Sequence, residues 1–255
     1  MSKPVRPGSR PELPDVTLVA VTSVAVEATV AALHRSTAQV QFGEVLLLCD
    51  RPPPAVAGTA IQWRRIGRLT SRRDYSRFML SDLAGHISTS HAMCVQWDGF
   101  VLHGDAWDPQ FLDYDYIGAV WPHFRDGHNV GNGGFSLRSR RLLEECRALD
   151  YRGLELEDVV ISRLCRPRLE AQGIRFAPAA VAQRFAYERE SPTGREFGFH
   201  GSYNLVRYLA PEEALHLFRS LEARMLSRNE RFELFRWALA RGRLRLALAM
   251  LARLI

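Results

Sequence analysis

The sequence predicts an α/β fold: a sheet with helices on both faces, followed by a C-terminal helical extension. Three observations predict it. Short apolar, β-branched runs alternate with segments of helical spacing through the first half of the chain. The runs stop at turn-forming residues, as buried strands do. From residue 211 onward only helical spacing remains.

The elements follow in order. Met1–Pro14 holds four prolines and no apolar segment. It reads as a flexible leader over residues 1–14, not as a secretory signal. Val16–Val21 is a buried strand, and Val24–Thr37 has helical spacing. Glu44–Cys49 is a second strand, stopped at Asp50 by Arg51 and the prolines that follow it. Ile61–Ile66 is a third strand, and Ser71–Leu83 a helix with Tyr75, Phe78, Met79 and Leu83 on one face. Ala92–Gln96 is a short strand that runs into Trp97-Asp98-Gly99. Tyr116–Trp121 is a strand closed by Pro122. The glycine-rich stretch Gly127–Gly134 leads through Phe135-Ser136-Leu137 into a helix over Ser139–Leu149. Asp158–Ala171 is a helix, Ile174–Ala177 a strand, and Ala186–Gly201 polar and irregular. Pro211–Met225 and Arg228–Ile255 are helical. The expected division is a leader over 1–14, a sheet domain over 15–210 and an extension over 211–255.

Composition limits the function classes. The 255 residues are 47% hydrophobic and include 13 Phe, 7 Tyr and 5 Trp, so disorder is excluded. No apolar run reaches the ~18 residues of a membrane span. Cys49, Cys94, Cys146 and Cys165 are far apart, with no CxxC pair; Cys49 and Cys94 lie in apolar runs and read as reduced core thiols of a cytoplasmic protein. The net charge of +6 is uneven. Residues 228–255 hold seven arginines against Glu230 and Glu233, a net of +5, which leaves +1 for the other 227 residues. A near-neutral body argues against nucleic acid as partner. No GxGxxG follows the first strand. GxxxxGK[ST], GxSxG and HExxH are also absent, so dinucleotide, P-loop, serine-hydrolase and zinc-protease chemistry lack their usual support.

Candidate site residues come from position. Asp98 follows the carboxyl end of an apolar strand, where open α/β sheets bind ligands. A carboxylate there can hold Mg²⁺ or Mn²⁺ against a diphosphate, whereas an Asp-Gly turn without ligand accounts for it equally well. Asp113-Tyr114-Asp115 fits D-x-D literally but precedes its strand, and reads as a turn leading into it. Gly131-Asn132-Gly133-Gly134 can bring backbone N–H groups close to a ligand, with Asn132 and Ser136 adding polar atoms. Glu157 and Asp158 open a helix, whose dipole favours ionised carboxylates suited to general-base work, or to capping alone. His200, in Phe197-Gly198-Phe199-His200-Gly201, lies between glycines in a polar stretch and can approach a metal or phosphate. His91, His103, His123 and His128 are not separable from one another locally. The tail carries a stripe of Leu244, Leu248, Leu251 and Ile255 beside arginines. It suits either an anionic membrane surface or a helical hairpin turned at Arg241-Gly242.

Taken together, YSRFML, QWDGF, DYIGAVW, GNGGFSLRSR, ELEDVVIS and FGFHG resemble the bacterial family called domain of unknown function 5672, over roughly Val16–Leu205. That family looks like a glycosyltransferase of the GT-A fold. The resemblance implies a nucleotide-sugar-dependent transferase, with a UDP-sugar as the default donor, a hydroxyl acceptor, and a role in polysaccharide or glycoconjugate synthesis. It implies that Val21, Thr22 and Ser23 hold the nucleotide base and that Tyr75 and Arg77 face the nucleotide. Asp98 would stand for the last acid of D-x-D and ligate Mn²⁺ or Mg²⁺, completed by His200. Asn132, Gly133 and Gly134 would border the donor sugar. Glu157-Asp158 would match the acceptor acids, with Asp158 as base. Gln96 departs from the pattern by replacing the first acid of D-x-D with a weaker ligand. An in-line base at Asp158 inverts the anomeric carbon, and a site without one retains it. Two other classes stay open: a non-catalytic nucleotide-sugar-binding module, and a membrane-surface scaffold working through its tail at the inner face of the membrane.

Overall fold

The computed structural model describes residues 10–53, 56–149, 151–153, 155–222 and 225–254. Residues 1–9 of the expected leader and Ile255 of the tail stripe lie outside the described residues. The chain forms two compact units, Met1–His200 and Gly201–Ile255.

In the first unit, β1 (Glu12–Thr22), β2 (Gln41–Cys49), β3 (Gln62–Arg65), β4 (His91–Val95), β5 (Tyr116–Ile117) and β6 (Phe135–Ser139) form one sheet in the order β3-β2-β1-β4-β6-β5. The first four strands are mutually parallel, and β6 runs antiparallel to both β4 and β5. Successive side chains of a strand point to opposite faces, and the core follows that alternation. Leu18 and Ala20 of β1 pack with Val45 and Leu47 of β2 against Val30 and Leu33 of α1 (Val26–Gln39) and Phe185 of α6 (Ala179–Phe185). Val19 and Val21 pack with Leu46 and Leu48 against Phe78 and Met79 of α2 (Arg72–Ser81) and Leu143 of α3 (Arg140–Cys146). The expected mixed α/β sheet with helices on both faces is therefore present, as are the C-terminal helices.

Several boundaries differ from expectation for physical reasons. β1 begins at Glu12, inside the expected leader, because Glu12 and Leu13 pair with Gln41 and Phe42. The register then shifts before Thr17, around Pro14, which has no N–H to give to the ladder. β5 stops after Ile117 instead of reaching Trp121; beyond it the pairing shrinks to a bridge between Val120 and Val130, with Gly118 packed against the Gly131 carbonyl. The expected strand at Ile174–Ala177 is reduced to a bridge between Tyr116 and Phe176. β6 was not expected as a strand. Phe135, Ser136, Leu137 and Arg138 alternate apolar and polar with the period of a strand, but the run is only five residues long, and its polar side chains are buried along with the apolar ones. The expected helix Asp158–Ala171 is broken into α4 (Glu157–Val159), a π turn (Val160–Leu164) and α5 (Arg166–Ala171). Within the stretch expected to be irregular, β7 (Ala186–Tyr187) pairs in parallel with β8 (Gly198–Phe199).

The second unit contains α7 (Ser202–Leu205), α8 (Pro211–Ser220), α9 (Arg228–Ala240) and α10 (Leu244–Leu251). Ser227 opens α9 with a capping box to Glu230. Gly242, at φ 66°, makes the turn into α10, as the Arg241-Gly242 hairpin requires. No helix among the described residues is long and apolar enough to cross a membrane.

Candidate functional site

The four parallel strands end on one edge of the sheet. Because β6 is antiparallel and Val95 faces Phe135 across the ladder, the loop before β6 lies at that same edge. This topology brings Asp98, which follows β4, beside Asn132, Gly133 and Gly134, which precede β6. The backbone N–H of Gln96 donates to the Gly134 carbonyl at 2.9 Å and fixes the two segments together.

His200, just after β8, is the hub. Its Nε2 lies 3.2 Å from Asp98 Oδ1 and 3.3 Å from Gln96 Oε1. Its Nδ1 lies 3.5 Å from Glu188 Oε1 and 3.1 Å from Asn132 Nδ2. Burial disfavours the charged ring, but the carboxylates of Asp98 and Glu188 outweigh it and hold the histidine pKa well above its ordinary value. Glu188 responds in kind: burial works against its ionisation, and His200 outweighs that and lowers its pKa. Gln96 also donates from Nε2 to Tyr75 Oη at 3.0 Å, so the amide that stands in the first D-x-D position ties the α2 tyrosine to the histidine.

The residues present fit a divalent ion. Asp98 is buried, and its Oδ1 faces His200 Nε2 with no other polar partner among the described residues. Two adjacent ligands with bonds of about 2.1 Å at a right angle stand roughly 3 Å apart, close to the 3.2 Å between Asp98 Oδ1 and His200 Nε2. A carboxylate on the far ring nitrogen, here Glu188, is the usual outer partner of a metal-bound histidine. No group of three or more His, Cys, Asp or Glu among the described residues is arranged around one point. The fit is thus to two protein ligands, which leaves the other coordination positions to be filled from outside the protein.

The acid pair divides its labour. Glu157 is buried, and its Oε1 accepts from Arg138 Nη2 at 3.1 Å. Burial and the neighbouring Asp158 carboxylate push its pKa up, against the pull of Arg138. Asp158 is half-buried, and its Oδ2 accepts from the Gly133 N–H at 2.9 Å. Both acids lie beside Gly133, and Asp158 is the more exposed of the two. Arg138 is wholly buried in β6 and also donates to Ser136 Oγ at 3.1 Å.

The glycines are required by crowding. A Cβ on Gly133 would fall on Glu157 Oε1, and one on Gly134 would fall on the His200 ring. Asn132, just before them, adopts φ 63°, a left-handed conformation uncommon outside glycine, and turns the chain into this pair. Gly134→Ala is expected to displace the His200 ring from Asp98 and to cost about 1–3 kcal/mol as an overpacked site. A urea titration and the histidine's NMR shift check this, and an unmoved ring resonance would refute it.

The remaining expected residues lie as follows. Val21, Thr22 and Ser23 end β1 at the same edge. Ser23 Oγ accepts from the Leu69 N–H at 2.9 Å, and Thr22 Oγ1 accepts from the Val24 N–H at 3.0 Å. Tyr75 joins the histidine network through Gln96, whereas Arg77 is exposed on α2 and is not brought into it. Asp115 is a turn residue, accepting from the Arg175 N–H at 2.8 Å and from Ser139 Oγ. Sequence reasoning missed Glu188 and Arg138. It also missed Asp50, at the end of β2, whose Oδ1 is buried with no hydrogen-bond partner among the described residues.

Among solved structures, the chain is similar to the apo-form glycosyltransferase GlyE of Streptococcus pneumoniae TIGR4, with a TM-score of 0.46 and 12% identity. The match covers 73% of this chain and 54% of that one, so this chain spans about half the length of that structure. No curated protein matches the chain. Residues 61–200, more than half of the sequence, match the family described as "Protein of unknown function (DUF5672)". That span runs from β3 to His200 and contains Asp98, the glycine turn, both acids and the histidine, so the chain belongs to the domain of unknown function 5672 family.

Proposed function

We propose that this chain is a glycosyltransferase that moves a sugar from a nucleotide-sugar donor, by default a UDP-sugar, to an acceptor hydroxyl. One observation carries the reading. The buried Asp98 Oδ1, facing His200 at 3.2 Å with no other polar partner among the described residues, shares a single glycine wall with the half-buried acid Asp158.

Asp98 and His200 Nε2 would hold Mn²⁺ or Mg²⁺. When bound, the ion supplies neutralising charge for the nucleoside diphosphate leaving group. Thr22 and Ser23 border the nucleotide at the end of β1, and Asn132, Gly133 and Gly134 border the donor sugar. Asp158 accepts the proton of the acceptor hydroxyl as that oxygen bonds to the anomeric carbon. The bond from that carbon to the phosphate oxygen breaks, and its electron pair leaves with the nucleoside diphosphate. Glu157, occupied by Arg138, holds the start of α4 in place.

The test is a thermal-shift and calorimetry screen of nucleoside diphosphates with and without Mn²⁺. A ligand present at 100 times its Kd stabilises by about 2.7 kcal/mol. Asp98→Ala is expected to abolish the Mn²⁺-dependent part of the binding. Unchanged affinity in that variant would remove Asp98 from the site.

A further inference from the structure

The helical unit Gly201–Ile255 presents a surface that the proposed reaction does not use. Helices α9 and α10 pack on each other, and Leu234 and Ala238 of α9 and Leu246, Ala247 and Met250 of α10 are buried. Other large apolar side chains are left in solvent. Leu244 is 62% exposed, Leu248 65%, Leu239 52% and Phe232 50%. Leu244, Leu248 and Leu251 stand at positions i, i+4 and i+7, which is one stripe of α10. Phe232 and Leu239 stand at i and i+7 on α9, with Arg236 at i+4 between them.

The seven arginines of residues 228–255 fall into two groups. Arg231, Arg243 and Arg253 are tied down on backbone carbonyls: Arg231 to Arg253, Arg243 to Val206 and Leu209, and Arg253 to Arg219 and Leu221. Arg228, Arg236, Arg241 and Arg245 are exposed. Of these, Arg236 lies over the Phe232 ring at 5.9 Å, Arg241 over Trp237 at 4.8 Å, and Arg245 makes a loose, exposed pair with Glu212 at 3.5 Å. Glu230 is occupied by its capping box with Ser227, which leaves Glu233 as the exposed acid of α9.

We infer that α9 and α10 form a docking face for an anionic membrane surface. The leucines and Phe232 enter the headgroup boundary, and Arg236, Arg241 and Arg245 meet the lipid phosphates. Apolar burial and basic charge together supply the two signals that stable peripheral binding needs. Neither helix can cross a bilayer, so the pair lies on it. A second copy of the chain suits this face poorly, since a two-fold contact would set arginine against arginine.

The test uses the full chain and vesicles of phosphatidylcholine, with and without about a third of phosphatidylglycerol. Co-sedimentation is expected with the anionic vesicles only, weakening as salt is raised. Each arginine near such a surface contributes about fivefold in partition. The double variant Arg236→Gln/Arg241→Gln is therefore expected to bind about 25-fold more weakly. Leu244→Ser/Leu248→Ser, at exposed positions that leave the core intact, is expected to lose binding with an unchanged thermal melt. Equal binding to uncharged vesicles, no binding to anionic ones, or full binding by the leucine variant would overturn the inference. So would a dimer in solution that the leucine variant dissolves. The readout is partition, not transfer, so this inference stands or falls separately from the proposed reaction.

Discussion

Asp158→Asn is expected to lower sugar transfer by about 10²–10⁴-fold, the range contributed by a positioned general base. Donor binding and fold are expected to stay as they are. The reason is geometric. Asp158 Oδ2 accepts from the Gly133 N–H at 2.9 Å, and Oδ1 accepts from the Val159 N–H at 2.8 Å. An asparagine oxygen can keep one of those bonds, so the glycine turn remains anchored while the basic oxygen is lost. Steady-state transfer with the donor found in the nucleotide screen, together with calorimetry of the diphosphate, separates the two roles. Transfer within about threefold of wild type would take the base away from Asp158. Normal transfer with intact donor binding would also leave Glu157 a poor substitute, because its Oε1 is already engaged by Arg138.

Arg138→Met is expected to be the most destabilising single change in the sheet. Arg138 and Glu157 are both buried and 3.1 Å apart. Removing one partner of a buried ion pair leaves an uncompensated charge and destabilises by about 3–5 kcal/mol. Against a typical total of about 5–15 kcal/mol, that is a large share. The double variant Arg138→Met/Glu157→Leu is expected to recover most of the loss, since a buried pair replaced by apolar residues of similar volume is often neutral or stabilising. Arg138→Lys keeps the charge but loses the fork that reaches Glu157 and Ser136 together, and is expected to fall between the two. Urea titrations of the three variants check this order. A double variant no more stable than Arg138→Met would show that the arginine is held by something other than Glu157.

Much of the candidate site was legible because its signals are local. Asp98 follows a strand, the glycines sit together, and Glu157 and Asp158 open a helix. Each of these is a relation between near neighbours in the chain. What they do to one another was not legible. The two acids read alike in sequence, and the burial of one beside Arg138 separates them. The glycines read as room for a ligand, whereas the structure gives them a nearer task, since a side chain there would collide with Glu157 or His200. Gln96 read as a weakened metal ligand, and its amide is spent instead on Tyr75 and His200.

The sequence by itself determined the strands β1, β2 and β4 and the helices α1 and α2. Apolar periodicity records which side of an element meets the core, and that record lies within a few residues of itself. It also determined the charged tail and its leucine stripe. Tertiary structure alone decided that β6 is a strand, that Arg138 and Glu188 belong with the site, and that the stripe of Leu244 and Leu248 faces solvent while Leu246 and Met250 are buried. The physical reason is range. Arg138 meets Glu157 across 19 residues and Gln96 meets His200 across 104. A buried charge is tolerable only where folding brings its partner, and no pattern within one element carries that information.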